Sequence, residues 1–236
     1  MYNFNSRIRY SEIDESGKLD IASLVDYFQD CSTFQSEDMR IRLGLSEDIE
    51  CAWILCSWQI IVNRLPLLGE SVNVETWPNQ LKGFYGIRNY RLIDGQGEVC
   101  AFASSVWVYL NMRTKKPEMI PTNMLKGFTI LPPIEWDWGG RKLQLPKEGE
   151  KKEAFPIISD YLDTNHHVNN GKYVWLAKHY LPGNTQLSQL RVEYRNEAKL
   201  GDIFYPKIAV FDDKTVVMFY NEKEVLYAAV EFKSKP

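Results

Sequence analysis

The feature that most constrains the fold of this chain is a repeat within it. Leu68-Gly69-Glu70-Ser71-Val72 is answered by Leu200-Gly201-Asp202-Ile203-Phe204, each after a strand-like stretch of similar length. Upstream, Tyr10-Ser11-Glu12-Ile13-Asp14 is answered by Ile158-Ser159-Asp160 and its continuation to Asp163. A chain of 236 residues with 44 % apolar and 13 % aromatic content can bury one large core or two small similar ones, and the repeat favours two.

Each copy reads as one helix followed by strands. In the first half Leu24, Tyr27 or Phe28, Cys31 and Phe34 recur at helical spacing after Asp20, a good N-cap. Residues 52–62, 71–77, 82–93 and 98–110 are rich in Val, Ile, Tyr, Phe and Trp, as strands require. Asp94-Gly95-Gln96-Gly97 separates the last two; with no helix after it, it is a hairpin turn and not a phosphate cradle. In the second half a short strand near 155–158 precedes a helix over 170–181, with Tyr173, Leu176, Ala177 and Tyr180 on one face, and strands over 187–195, 203–211, 215–220 and 225–233. Between the halves Pro121, Pro132, Pro133 and Pro146 interrupt regular structure, while Trp136 and Trp138 predict that part of the stretch packs on a domain. The expected fold class is α+β: a double hot-dog, two tandem repeats each with a central helix wrapped by a curved antiparallel sheet. Its divisions are 1–130, a linker over 131–153, and 154–236.

Differences between the copies locate the chemistry. Setting Asp14 opposite Asp163 places Ser16 opposite Asn165, Lys18 opposite His167 and Ile21 opposite Asn170; the corners place Leu65 opposite Glu197. The second copy thus holds Asp163, Asn165, His167 and Glu197 where the first keeps only an aspartate, which points to one active site. The three histidines, His166, His167 and His179, lie in or near the run 163–170 before a helix, where free backbone N–H groups suit a developing oxyanion. The same run also suits a plain helix entry, because Asn and Asp favour caps and turns. A zinc site is disfavoured, since no further Cys or His completes a tetrahedral shell.

Asp163-x-Asn165-x-His167-Val168-Asn169-Asn170-x-Lys172-Tyr173, followed by Glu193-Tyr194-Arg195-x-Glu197, resembles the signature of plant and bacterial acyl-acyl-carrier-protein thioesterases. The likeness reaches the first half through Trp107-Val108-x-x-Asn111 and Leu67-Leu68-Gly69-Glu70. It implies a catalytic C-terminal repeat and an acyl tunnel contributed mainly by the N-terminal one, with Phe28, Phe34, Trp58, Phe84 and Trp107 as candidates for its wall or for ordinary core. It assigns Asp163, Asn165, His167 and Glu197 to a site that activates water: Glu197 as base, His167 sharing that task or protonating the thiolate, Asn165 orienting, Asp163 holding the loop. Plant members often carry cysteine directly after the glutamate; here the residue is Ala198, which favours direct attack by water. His166 and His179 receive no chemistry.

The implied partner is an acidic acyl carrier protein bearing a fatty acyl chain, with Arg113, Lys115 or Lys116 as docking cations; Lys147, Lys151 and Lys152 form a second basic group. No cofactor or metal is expected. A formal net charge of -3 argues against a nucleic-acid partner, and the lack of a long apolar run or a leader-like N-terminus argues against membrane and export. Cys31, Cys51, Cys56 and Cys100 read as buried thiols in a reducing, cytoplasmic setting. Because two fused repeats satisfy the pairing that single hot-dogs obtain by dimerising, the expected state is monomer or homodimer. The competing functions are a hot-dog thioesterase acting on acyl-coenzyme A and a non-catalytic acyl-binding module; a hydratase fits the resemblance poorly.

Overall fold

The computed structural model describes residues 1–44, 50–183 and 185–235, and these divide into two compact units. The first comprises Met1–Cys56 and Asn63–Gly139; the second comprises Ser57–Val62 and Gly140–Pro236.

In the first unit β1 (Tyr2–Arg7) leads through a 3-10 turn to α1 (Ile21–Arg42), which begins where Asp20 caps it, its carboxylate accepting the Ala22 N–H at 2.9 Å. The helix runs two turns beyond the apolar stripe that predicts it, and the polar connection after it includes residues 45–49, which lie outside the described ones. β2 (Cys51–Val62), β3 (Ser71–Lys82), β4 (Tyr85–Asp94) and β5 (Val99–Asn111) follow, then the two-residue β6 (Lys116–Pro117) and the short α2 (Thr122–Gly127). β1, β3, β4 and β5 lie side by side, all antiparallel. β1 escapes the sequence reading because it is short and half polar, Tyr2, Phe4 and Ser6 pointing inward and Asn3, Asn5 and Arg7 outward. β3 continues past Trp77 through Pro78, where a register shift between Pro78 and Gln80 accommodates the missing N–H. α1 covers this sheet: Cys31 Sγ lies 3.5 Å from the Val74 carbonyl, and the Phe28 and Tyr90 rings are 5.3 Å apart.

The second unit repeats the plan. After β7 (Glu150–Lys151) and β8 (Phe155–Pro156), α3 (Asn170–Lys178) precedes β9 (Leu187–Tyr194), β10 (Ile203–Val210), β11 (Lys214–Tyr220) and β12 (Leu226–Ser234). The order is β9-β12-β11-β10-β7, antiparallel, with Ser57–Ile61 of β2 paired to the other edge of β9. Asn169 caps α3 through the Gly171 N–H at 2.8 Å. The helix is three residues shorter than expected, ending at Lys178 before Pro182-Gly183. Its Tyr173 enters an aromatic cluster in which Phe204 is central, with ring centroids 5.5 Å from Tyr173, 5.0 Å from Phe219, 5.6 Å from Tyr227 and 5.7 Å from Phe155. One helix laid on an antiparallel sheet, twice in one chain, is the double hot-dog that the repeat predicts.

The proline-rich stretch between the helical halves is anchored and not loose. Pro132 accepts the Trp77 indole N–H at 2.9 Å, Asn89 Oδ1 accepts the Ile134 N–H at 3.0 Å, and Trp136 and Trp138 meet Phe102 edge-on at 5.1 and 6.0 Å. In the second unit Arg191 donates to the Gly140 carbonyl at 2.6 Å, and the buried Glu193 carboxylate accepts the Leu143 N–H at 2.9 Å.

Phe204→Ala should lower unfolding free energy by about 3–5 kcal/mol, because a ring at the centre of four others leaves a cavity that they cannot all close. Asp20→Ala, which removes one cap, should cost about 1 kcal/mol. Denaturant unfolding measures both; a Phe204 effect no larger than the Asp20 effect would show that the cluster is not the core of its unit.

Candidate active site

The loop before each helix is built in the same way, and the construction explains why particular residues meet. In the second unit Asp163 Oδ1 accepts the Asn165 N–H at 2.8 Å and the His167 N–H at 3.2 Å, while the Asp163 N–H donates to the His167 carbonyl at 2.7 Å. In the first, Asp14 Oδ1 accepts from Ser16 N at 2.8 Å and Lys18 N at 3.3 Å, and Asp14 N donates to the Lys18 carbonyl at 2.8 Å. One aspartate folds a tight loop in each copy. The turn residue between has positive φ, 77° at Gly17 and 61° at His166. A histidine there carries strain that glycine avoids, and its side chain is exposed.

The Leu-Gly-acid corner then clasps this loop. His167 bridges Lys199 and the Val168 N–H donates to the Ala198 carbonyl at 2.9 Å; Lys18 bridges Leu67 and the Leu19 N–H donates to the Pro66 carbonyl at 2.7 Å. Each corner turns at a glycine, Gly69 with φ 84° and Gly201 with φ 89°. Each is braced by its acid: Glu70 accepts the Leu67 N–H at 2.6 Å and Asp202 the Lys199 N–H at 3.0 Å. Backbone pairing therefore equates Lys18 with His167 and Leu65 with Glu197, the same correspondence that the aligned sequences give.

Across this clasp His167 Nε2 stands 3.2 Å from Glu197 Oε2, both side chains partly buried, at 18 % and 32 % exposure. Glu197 follows the end of β9, where strand alternation no longer fixes side-chain direction; the bridge to the loop does. Asp163 is brought to His167 through backbone only. The Asn165 amide turns back to Asp163 Oδ2 at 3.5 Å, its one side-chain hydrogen bond among the described residues, and makes none to Glu197 or His167. Lys199, which sequence reasoning passed over, places its ammonium 3.9 Å from Glu197 Oε2. Its position two residues after the glutamate is the only signal that could have found it.

The remaining histidine packs on the preceding turn of its own chain: His179 Nδ1 lies 2.8 Å from the Trp175 carbonyl and its ring 4.7 Å from the indole. Among the described residues there is no disulfide and no group of three or more His, Cys, Asp or Glu side chains arranged to hold a metal. Burial pushes the Cys31 thiol up to about 12 and the Cys100 thiol up to about 11, so neither is a ready nucleophile near neutral pH. Of the candidate tunnel residues, Phe28 and Trp58 are fully buried, whereas Phe34 and Phe84 are nearly half exposed.

Residues 1–128 match the acyl-ACP thioesterase N-terminal domain, and residues 144–220 match the acyl-ACP thioesterase C-terminal domain. The chain belongs to the acyl-ACP thioesterase family. It is 32 % identical over 224 residues to the chloroplastic acyl-[acyl-carrier-protein] hydrolase FATB2 of Cuphea viscosissima, covering 84 % of this chain and 52 % of that one. It is 24 % identical over 172 residues to the chloroplastic oleoyl-acyl carrier protein thioesterase 1 of Arabidopsis thaliana, covering 64 % of this chain and 46 % of that one. This family member therefore spans about half the length of the curated relatives it matches. Among solved structures, an acyl-ACP thioesterase from Bacteroides thetaiotaomicron superposes with a TM-score of 0.88 at 18 % identity, covering 99 % of this chain and 97 % of that one. The 12:0-ACP thioesterase from Umbellularia californica gives 0.83 at 18 %, covering 100 % and 97 %. At such identities these likenesses show the fold alone.

If the two loops are equivalent, Asp14→Ala and Asp163→Ala should each cost about 1 kcal/mol of stability, since each strips an exposed loop of two backbone hydrogen bonds. Thermal unfolding of the pair checks this. A large cost at one position and none at the other would contradict the equivalence.

Proposed function

We propose that this chain hydrolyses the thioester of a fatty acyl group carried on acyl carrier protein, releasing the free acid. The observation that carries the reading is the 3.2 Å approach of His167 Nε2 to Glu197 Oε2, in the repeat whose counterpart has lysine and leucine at those places. A thioester carbonyl needs a nucleophile at carbon and a proton for the departing sulfur. Glu197 takes a proton from water, the hydroxide adds to the carbonyl carbon, and the tetrahedral oxyanion collapses with cleavage of the C–S bond. His167, in contact with the carboxylate, passes the proton to the thiolate.

Asp163 acts through the backbone, holding the loop so that the His167 ring meets Glu197. Asn165, exposed beside it, orients water or the carbonyl. The buried Ala198 stands directly after the glutamate, so the route has no acyl-cysteine step there.

For the carrier protein, the exposed turn after β5 and the start of β6 offer Arg113, Lys115 and Lys116. Asn111 Oδ1 accepts the Arg113 and Thr114 N–H groups at 3.0 and 2.8 Å, which gives these cations a fixed base. Cations so placed would attract an acidic carrier at range, an effect that salt weakens. A reducing, cytosol-like setting is part of the proposal and accords with thiols that form no disulfide among the described residues.

Glu197→Gln should reduce kcat on acyl-ACP by roughly 10²–10⁴-fold with the thermal midpoint retained; unchanged turnover would remove Glu197 from the role of base. Assays with acyl-ACP and acyl-coenzyme A side by side test the carrier, and a preference for the nucleotide carrier would replace the proposed substrate. Reversing the charges of Arg113, Lys115 and Lys116 together should slow turnover of acyl-ACP and spare a short acyl-pantetheine. Equal loss on both substrates would count against docking by that turn.

A further inference from the structure

Arg88 occupies the middle of β4 on the face turned toward α1, sharing it with Tyr90 and Leu92, and is only 8 % exposed. Its Nη1 donates to Gln35 Oε1 at 2.5 Å and to Thr76 Oγ1 at 3.1 Å, and the Phe128 ring lies 5.5 Å from its Cζ. Among the described residues these are its partners. Among the described residues Nε and Nη2 donate to no acceptor, and no carboxylate pairs with the guanidinium. The titratable groups that face it are the Tyr90 hydroxyl and the Cys31 thiol, both pushed upward by burial and therefore neutral near pH 7.

Three other buried charges are paired with opposite charges. Glu193, 1 % exposed, contacts Arg195 and the Leu143 N–H; Glu231, 2 % exposed, contacts Arg191 and Lys214; Asp94 contacts Arg64 at 2.5 Å. A buried cation held by neutral acceptors alone is costly, because hydrogen bonds from Gln35 and Thr76 fix its plane without neutralising it. The edge left over, Nε with Nη2, carries two parallel N–H groups at the spacing of the two oxygens of a carboxylate. The ring that meets the guanidinium is apolar: Phe128 belongs to a buried cluster with Met39, Tyr109, Ile120 and Met124.

We infer that the Nε–Nη2 edge of Arg88 is a binding site, within the first unit, for a carboxylate on an aliphatic body, the chemistry of a fatty-acid anion. The planar edge selects the headgroup. The apolar surroundings select a chain over a small hydrated anion. None of its residues is Glu197 or His167, and its occupancy needs no turnover.

Calorimetric titration of the whole chain with decanoate and with 1-decanol tests the inference. Wild type should bind decanoate about tenfold or more tightly than the alcohol, the expected discrimination of a charge-assisted pair. Arg88→Met should abolish that preference, and Glu197→Gln should keep it, so that a head bound at the proposed catalytic pair is distinguished from one bound at Arg88. Equal affinity for acid and alcohol, a preference that survives Arg88→Met or disappears with Glu197→Gln, or displacement of decanoate by equimolar inorganic phosphate would overturn it. Should Arg88→Met fail to fold, carbon NMR of carboxyl-labelled decanoate on the wild type decides: the bound carboxyl should titrate below the free acid, and an unshifted midpoint refutes the site. Failure of the thioesterase reading would show in turnover alone and leave these titrations unaffected.

Discussion

The clasp between the loop before each helix and the glycine corner before each sheet meander is the constraint on which the rest depends. Two backbone contacts make it in the second unit, His167 with Lys199 and Val168 with Ala198, and two make it in the first, Lys18 with Leu67 and Leu19 with Pro66. Because the clasp uses backbone, the side chains at its positions are free to diverge without loss of fold. Lysine and leucine in one copy stand where histidine and glutamate stand in the other, and the frame that holds them is the same. A pair of side chains placed on such a frame inherits its rigidity from backbone hydrogen bonds.

Both units pair buried carboxylates, Asp94 with Arg64 in the first, and they differ in one buried cation. The second confines its buried carboxylates to pairs that tie strands and the proline-rich stretch together, as Glu193 does between Arg195 and Leu143. The first buries a guanidinium against neutral oxygens and an aromatic ring. Pairing both partners makes burial tolerable for the former, whereas the latter retains a demand for negative charge. That contrast, and not the mere presence of an arginine, makes the interior of the first unit a candidate for ligand recognition.

Much of this was readable from the residues. Leu-Gly-Glu and Leu-Gly-Asp marked two corners, Asp20 marked a helix start, and the run from Asp163 to Asn170 marked the loop, because capping, turn chemistry and glycine backbone freedom are local properties. Less was readable where neighbours override local preference. β1 alternates polar with apolar residues too briefly to announce itself, β3 passes through a proline by means of a register shift, and α1 extends into charged residues that no stripe predicts. Phe34 and Phe84 look like core and stand half in solvent, since apolar character permits burial without compelling it.

The sequence by itself determined the duplication, the order of helix and strands in each copy, and the set of residues by which the copies differ, all of which follow from spacing along one dimension. Tertiary structure decided which of those residues touch. Glu197 lies just beyond β9, where alternation ceases to dictate direction, and only the pairing of a segment thirty residues earlier turns it toward His167 at 3.2 Å. Arg88 likewise sits in a strand whose pattern cannot say that a cation faces inward; the pleat of β4 against β3 and β5 and the helix laid over it bury the charge. Contacts between distant segments depend on register and packing, and neither is written at any single position of the chain.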